Sequence, residues 1–137
     1  MYARNVSDVE LLRSVFAGWE RGDFTRGVEH YADDVYFTTA EPEGRYDGRG
    51  PTGVRRWMQQ FLGAWEFYSV RVDEIEDLGD ARYHGAGEQY ARGKESGTET
   101  RMPAHVGVRV EHGKITRLVF SFSRDEAVAR LDEKRAP

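Results

Sequence analysis

Apolar side chains recur every three or four residues in two segments, and this spacing predicts two amphipathic helices. The stripe of the first segment is Leu12, Val15, Phe16 and Trp19. Ser7 and Glu10 form a capping box that predicts where this helix begins, and Gly22 predicts where it ends. Asp23 predicts the cap of a shorter helix that follows. The stripe of the next long helix, which opens near Pro51, is Val54, Trp57, Met58, Phe61, Leu62 and Trp65.

Alternation of apolar and polar residues predicts β-strands in the rest of the chain. Residues 34–39 alternate, whereas residues 40–50 contain a proline and three glycines and therefore predict a loop. Four further strands are expected over residues 68–76, 81–92, 98–110 and 114–122. Ser123 and Glu126 form a second capping box, which predicts a short helix at the C-terminus.

This order of elements predicts an α+β fold in one domain, residues 1–137. We expect a strongly curved, mixed but mainly antiparallel sheet wrapped around three N-terminal helices, with a short C-terminal helix. Helices that close the concave face of such a sheet leave a cone-shaped pocket. The candidate pocket residues are Trp19, Phe37, Thr39, Met58, Phe61, Tyr90, Leu118 and Phe120. The alternative is that the apolar members of this set are simply core.

Composition and charge narrow the function. The net charge of −4 argues against nucleic acid, whose phosphates require a basic face. The chain has no cysteine, and its four histidines show no metal-ligand spacing, so we predict neither a metal site nor another cofactor. Residues 1–8 lack the apolar core of a signal peptide, and no apolar run is long enough to cross a bilayer. We therefore expect a cytoplasmic protein without membrane contact.

Several short motifs stand in a characteristic order along the chain. They include Arg21-Gly22-Asp23, Asp34-Val35, Tyr46-Asp47-Gly48-Arg49, Gly53-Val54-Arg55, Gly113-Lys114-Ile115 and Ser123-Arg124-Asp125-Glu126. Together they resemble the SnoaL-like proteins of the nuclear transport factor 2-like superfamily. The resemblance implies an α+β cone, commonly a homodimer through its sheet, with a pocket between helices and concave face. It does not imply one activity, because such proteins include isomerases, cyclases, dehydratases, hydrolases and non-enzymatic binders.

Two of these activities lack their residues here. Steroid isomerisation needs a carboxylate base, a tyrosine and a protonated carboxylic acid, and the corresponding positions hold Thr39, Val15 and Val106. A polyketide cyclase of the usual kind needs an aspartate on the last strand. Residues 114–122 contain no carboxylate. The sequence therefore supports neither reaction.

One acid–base pair remains as a candidate. A two-residue turn at Ser96 and Gly97 would set Glu88 directly opposite His105 on the next strand. A carboxylate beside an imidazole makes the ring a stronger base, which suits acid–base catalysis near neutral pH. A longer turn would break this pairing. The alternative is a salt pair on the outer surface of the sheet.

We therefore predict a protein that binds a small hydrophobic molecule in a cone-shaped pocket. Any chemistry would be acid–base work by Glu88 and His105, and whether the protein is an enzyme is left open. The alternative is a non-catalytic ligand-binding module, or a structural homodimer.

Overall fold

Six strands form one curved sheet in the computed structural model of the chain, which describes residues 2–25, 27–41 and 44–133. The described side chains are those of residues 8–25, 27–39, 47–59 and 62–133. The strands are β1 (Tyr31–Glu41), β2 (Gly44–Arg49), β3 (Trp65–Gly79), β4 (Arg82–Gly93), β5 (Glu99–Glu111) and β6 (Lys114–Ser121). Their order across the sheet is β2-β1-β6-β5-β4-β3. Only β1 and β6 run parallel, so the sheet is mixed as predicted.

Within the described residues three α-helices pack against this sheet, and a short 3₁₀ turn precedes β1. The helices are α1 (Tyr2–Glu20), α2 (Gly50–Leu62) and α3 (Arg124–Leu131), and the 3₁₀ turn is Val28–His30. Helices α1 and α2 cover the concave face, whereas α3 lies against β5 and β6 on the convex face. This arrangement confirms the predicted α+β fold.

Two predicted helix starts are wrong. Helix α1 begins at Tyr2, five residues before Ser7, so Ser7 lies inside the helix and does not mark its start. The Ser7 side chain lies outside the described residues. Asp23 does not cap a helix, since its carboxylate accepts the backbone N–H of Thr25 in a local turn (3.1 Å). Gly22 does end α1 as predicted, with a φ of 80° that favours glycine.

The predicted loop over residues 40–50 is also wrong where the structure describes it, since residues 40–41 belong to β1 and Gly50 opens α2. Residues Gly44–Arg49 form β2, which pairs antiparallel with β1 from Tyr36 to Glu41. The Thr38 hydroxyl donates to the carboxylate of Asp47 across this pair (2.7 Å). Backbone pairing with β1 outweighs the low strand propensity of the glycines in this segment.

Helix α3 covers the part of the convex face that β5 and β6 form. Gly107 of β5 allows close contact, because a side-chain carbon there would lie 3.0 Å from the carbonyl oxygen of Ala127. Arg117 of β6 is buried beside this helix and donates to the carbonyl oxygens of Tyr36 (3.2 Å) and Arg130 (3.0 Å). Arg117 is therefore a buried structural residue.

Candidate functional site

A cavity of about 280 Å³ lies between α2 and the concave face of the sheet. Trp57, Met58 and Leu62 of α2 form one wall, and side chains of β3, β4, β5 and β6 form the others. The amphipathic stripe of α2 explains this placement, since it turns large apolar side chains toward the sheet.

The lining is mostly aromatic and apolar. Its rings are those of Trp57, Trp65, Tyr68, Phe120 and Phe122. The Trp57 and Phe120 rings stack with centroids 6.1 Å apart. Among the described residues, no Asp, Glu, Lys or Arg borders the cavity. An uncharged lining of this kind favours an uncharged, apolar occupant.

Two hydrogen bonds of Gln89 lie at one side of the cavity, where they place polar groups on its wall. The Tyr68 hydroxyl donates to the side-chain oxygen of Gln89 (2.8 Å), and the Gln89 amide donates to the carbonyl oxygen of Pro103 (3.1 Å). These two bonds fix the orientation of the Gln89 amide. Thr39 and Thr100 are further polar residues on the wall.

The predicted pocket residues fall into three groups. Thr39, Met58 and Phe120 line the cavity. Trp19, Phe37 and Leu118 are almost wholly buried in the core behind that lining; the rings of Trp19 and Phe120 lie 5.2 Å apart. The Phe61 side chain lies outside the described residues.

Tyr90 is the exception and belongs to none of these three groups, because it lies on the opposite face of the sheet. It borders a separate polar groove with Glu20, Arg71, Glu88 and Arg101. Its hydroxyl donates to Glu99 (2.6 Å), and this contact raises the pKa of Tyr90. The assignment of Tyr90 to the pocket is therefore wrong.

The predicted contact between Glu88 and His105 is wrong as well. The turn between β4 and β5 is longer than two residues, because the Gly93 N–H donates to the carbonyl oxygen of Thr98 (3.0 Å) and this bond encloses the four residues 94–97. This turn shifts the register, so that Glu88 lies opposite Pro103 and His105 lies opposite Ala86. The Glu88 carboxylate instead accepts from Arg101 (3.1 Å). No acid–base pair of these two residues faces the cavity.

His105 borders the cavity, but its ring lies on the convex face. Its neighbours Ala104 and Val106 are buried in the core on the concave face, and side chains alternate along a strand. The ring stacks on His84 of β4, with the centroids 5.1 Å apart and the planes 11° apart. His105 Nδ1 and His84 Nε2 are 2.9 Å apart and share a hydrogen bond.

This histidine pair belongs to a wider cluster at the start of α3. His84 is only 4% exposed, and its Nδ1 lies 3.3 Å from the carboxylate of Glu76. Glu76 also accepts two hydrogen bonds from Arg124, each 3.0 Å long. Arg124 lowers the pKa of Glu76 through these bonds. Burial and the charge of His105 hold the pKa of His84 below its ordinary value, and Glu76 opposes them only in part.

Several cavity residues were missed in the sequence. Trp57, Trp65 and Tyr68 were assigned to elements but not to the pocket, while Gln89 and Ala91 lie on the concave face of β4. Alternation in β4 separates two sets of side chains but does not say which set faces inward. The charged members of the other set, Arg82, Glu88 and Arg92, were the signal that could have decided it.

Other predictions concern partners and cofactors. Within residues 2–25, 27–41 and 44–133, no group of three His, Cys, Asp or Glu residues is arranged to hold a metal ion. None of the helices in that same part of the chain has both the length and the apolar character needed to cross a bilayer. The homodimer and the cytoplasmic location stay predictions.

Solved structures share this fold at low sequence identity. An NTF2-like protein of unknown function from Burkholderia pseudomallei has a TM-score of 0.75 at 16% identity, covering 93% of this chain and 98% of that one. TerC, co-crystallised with polyporic acid, has a TM-score of 0.73 at 15% identity, covering 93% and 99%. A protein from Catenulispora acidiphila with a ketosteroid isomerase-like fold, in complex with trimethylamine, has a TM-score of 0.69 at 15% identity, covering 93% and 98%. At these identities the likeness shows the fold alone.

The sequence itself matches one domain family. No curated protein matches the chain in sequence. The SnoaL-like domain, in contrast, matches residues 12–118, which form most of both the sheet and the cavity wall. Taken with the shared fold, this match shows that the chain belongs to the SnoaL-like domain family.

Proposed function

We propose that this protein binds a small, uncharged, largely apolar molecule in the cavity between α2 and the sheet. The observation that carries the proposal is the lining, in which five aromatic rings surround a few polar groups and no charged side chain among the described residues takes part. Such a lining removes apolar surface from water, while Gln89 offers an oriented amide. Met102 and Phe122 extend it as exposed apolar side chains.

Binding without acid–base catalysis is the form of this proposal that the geometry favours. The one carboxylate predicted to act as a catalyst, Glu88, lies in the polar groove with Arg71 and Arg101. The His105 ring pairs with His84 on the convex face. Similar folds bind small molecules, as TerC with polyporic acid and the Catenulispora acidiphila protein with trimethylamine illustrate.

Filling the cavity tests this proposal. Ala91 lines the cavity from β4 and is 7% exposed, so that Ala91→Phe places a ring in the space the ligand would occupy. The probe is N-phenyl-1-naphthylamine, an uncharged dye that fluoresces in apolar surroundings. We expect Ala91→Phe to weaken its binding by about tenfold, or about 1.4 kcal/mol of binding free energy.

Ala129→Phe is the matched control, because Ala129 is exposed on α3 and faces no part of the cavity. It should bind the dye as the wild type does. Unchanged dye binding by Ala91→Phe, or an equal loss in Ala129→Phe, would contradict a ligand site in this cavity. Thermal unfolding of both variants checks that each one folds.

We also propose that two copies pair through the convex face of β3, β4 and β5. The end of α1 borders the part of this face near Tyr90 through Glu20, and the Phe67 ring there is 37% exposed and lies 6.1 Å from the Tyr90 ring. Its charges alternate in sign, with Glu88 between Arg71 and Arg101. A surface of this kind complements a second copy of itself.

A further inference from the structure

We propose that the His84–His105 pair is a pH-sensitive latch that holds the wall of the cavity in place at neutral pH and releases it in acid. The proposal rests on the proposed function, since it assigns regulation to the same ligand cavity. It is carried by the geometry of two stacked imidazoles, one of them buried, at the point where α3 meets the sheet.

The hydrogen bond between the rings accommodates one proton but not two. His84 Nε2 and His105 Nδ1 are 2.9 Å apart, so one nitrogen must carry the hydrogen and the other must accept it. Either ring can be the donor, so a single added proton leaves the bond intact. When both rings are protonated, both nitrogens carry hydrogens, and two cations face each other at 5.1 Å between centroids.

The surroundings of the pair make the second proton costly. His84 is 4% exposed, so its charge would be poorly solvated. The charged side chains that share the convex face with the pair are Glu74 and Glu76 of β3, Arg82 and Glu88 of β4 and Arg109 of β5, and the first turn of α3 adds Arg124, Asp125 and Glu126. Of these, Glu76 contacts His84 directly but already accepts both hydrogen bonds from Arg124. Its charge is therefore shared and compensates only one imidazolium.

The direction of the pH effect follows from burial of His84. Its pKa in the folded protein is lowered from the ordinary value of 6.5, so that the unfolded chain binds the proton more readily. Stability from this site is therefore present above the ordinary pKa and is lost as the pH falls through the lowered one. The free energy of unfolding should decrease in acid.

The pair is linked to the cavity through β5 and β6. His105 borders the cavity and is paired with Ser121, which also borders it. The Ser121 hydroxyl donates to Glu126 in the first turn of α3 (3.1 Å). Separating the two rings therefore displaces a stretch of cavity wall together with the start of α3.

The experiment compares wild type with His105→Gln, whose amide hydrogen-bonds to His84 without titrating. Affinity for N-phenyl-1-naphthylamine and the thermal unfolding midpoint are measured between about pH 8 and about pH 5. We expect wild type to lose affinity by about fivefold, at the low end of usual coupling between sites, and to unfold more readily in acid. In His105→Gln the loss of affinity should be much smaller, whereas the change in the unfolding midpoint should be only partly reduced, because His84 remains buried.

His112→Asn is the matched control, since His112 is exposed in the β5–β6 turn; it should behave as wild type. His84→Gln removes the buried imidazole itself and should flatten both pH profiles. This variant keeps the test decisive if the His105→Gln protein does not fold. Equal pH profiles in wild type and these Gln variants would overturn the latch. If the dye binds at no pH, the proposed function fails, and the unfolding midpoints alone then decide on the latch.

Discussion

Gly87 of β4 lies in close contact with the backbone of β3. A side-chain carbon at this position would overlap the carbonyl oxygen of Arg71 and lie 2.9 Å from the Cα of Val72. The register of β3 against β4 shifts between Val72 and Glu74, so that the backbone of β3 bulges toward Gly87. Only a residue without a side chain fits there, because the opposing atoms are backbone and cannot turn away.

Gly87→Ala is therefore expected to destabilise the protein by about 1–3 kcal/mol, the usual cost of overpacking. Chemical denaturation measures this loss. Gly53→Ala is the matched control, because Gly53 lies within α2 and its nearest new contact, Phe37 Cε1, is 3.7 Å away. It should stabilise the protein by about 0.5–1 kcal/mol. A Gly87→Ala protein as stable as wild type would show that β3 does not press on β4.

The pocket predictions held for residues in clear apolar stripes and failed on a strand of mixed composition. Met58 and Phe120 belong to clear apolar stripes, and both line the cavity. Tyr90 and Glu88 were misplaced because the two faces of β4 carry mixed side chains, and neither face is apolar throughout. On such a strand the inner face is indicated by the set that carries no charge, and on β4 that is the set with Gln89 and Ala91.

At the scale of elements, α3 shows how a local signal is sufficient when its partners are close in sequence. Ser123 and Glu126 predicted the start of this helix, and the Ser123 hydroxyl accepts the backbone N–H of Glu126 (3.2 Å). The prediction is confirmed because a capping bond joins atoms only three residues apart. The same pattern failed at Ser7, where the chain before it is helical too.

Ser123→Ala should lower the free energy of unfolding by about 1 kcal/mol, since it leaves the Glu126 N–H without its cap. Ser123→Asp keeps an acceptor at this position and should retain most of the stability. Urea denaturation distinguishes them. If Asp proves as damaging as Ala, the hydrogen bond at the cap contributes little and packing of α3 on β5 dominates.

The β4–β5 turn shows the opposite case, in which an element depends on a detail that the sequence leaves open. Ser96 and Gly97 are compatible with a two-residue turn, yet Gly97 N–H donates to the carbonyl oxygen of Gly93 and closes a longer one. In the observed register Arg92 lies opposite Glu99, a favourable pair. The longer turn therefore replaced the predicted pairing of Glu88 with His105 by a pairing of Glu88 with Pro103.

For the whole molecule, the convex face around Phe67 and Tyr90 is where the proposed dimer can be tested. Phe67→Glu places a charge where two copies would bury an apolar ring, so it should convert a dimer to a monomer. Light scattering coupled to size-exclusion chromatography measures the mass. Phe122→Glu is the matched control, since Phe122 is similarly exposed but lies at the cavity. A monomeric wild type, or a dimeric Phe67→Glu protein, would contradict this interface.

The sequence alone determined the α+β class, the start of the long helix α2, five strands of the sheet and the C-terminal helix, whereas Trp65, predicted to end α2, opens β3 instead. These features depend on periodicity and on contacts between near neighbours, which every segment carries in itself. Tertiary structure decided the register of β4 on β5, the strand at Gly44–Arg49 and the face on which Gln89, Tyr90 and His105 lie. Those features depend on contacts between residues far apart in the chain, which no local segment specifies. The chemistry of an imidazole or a carboxylate depends on the same contacts, because its hydrogen-bond partners and its burial are set only by folding.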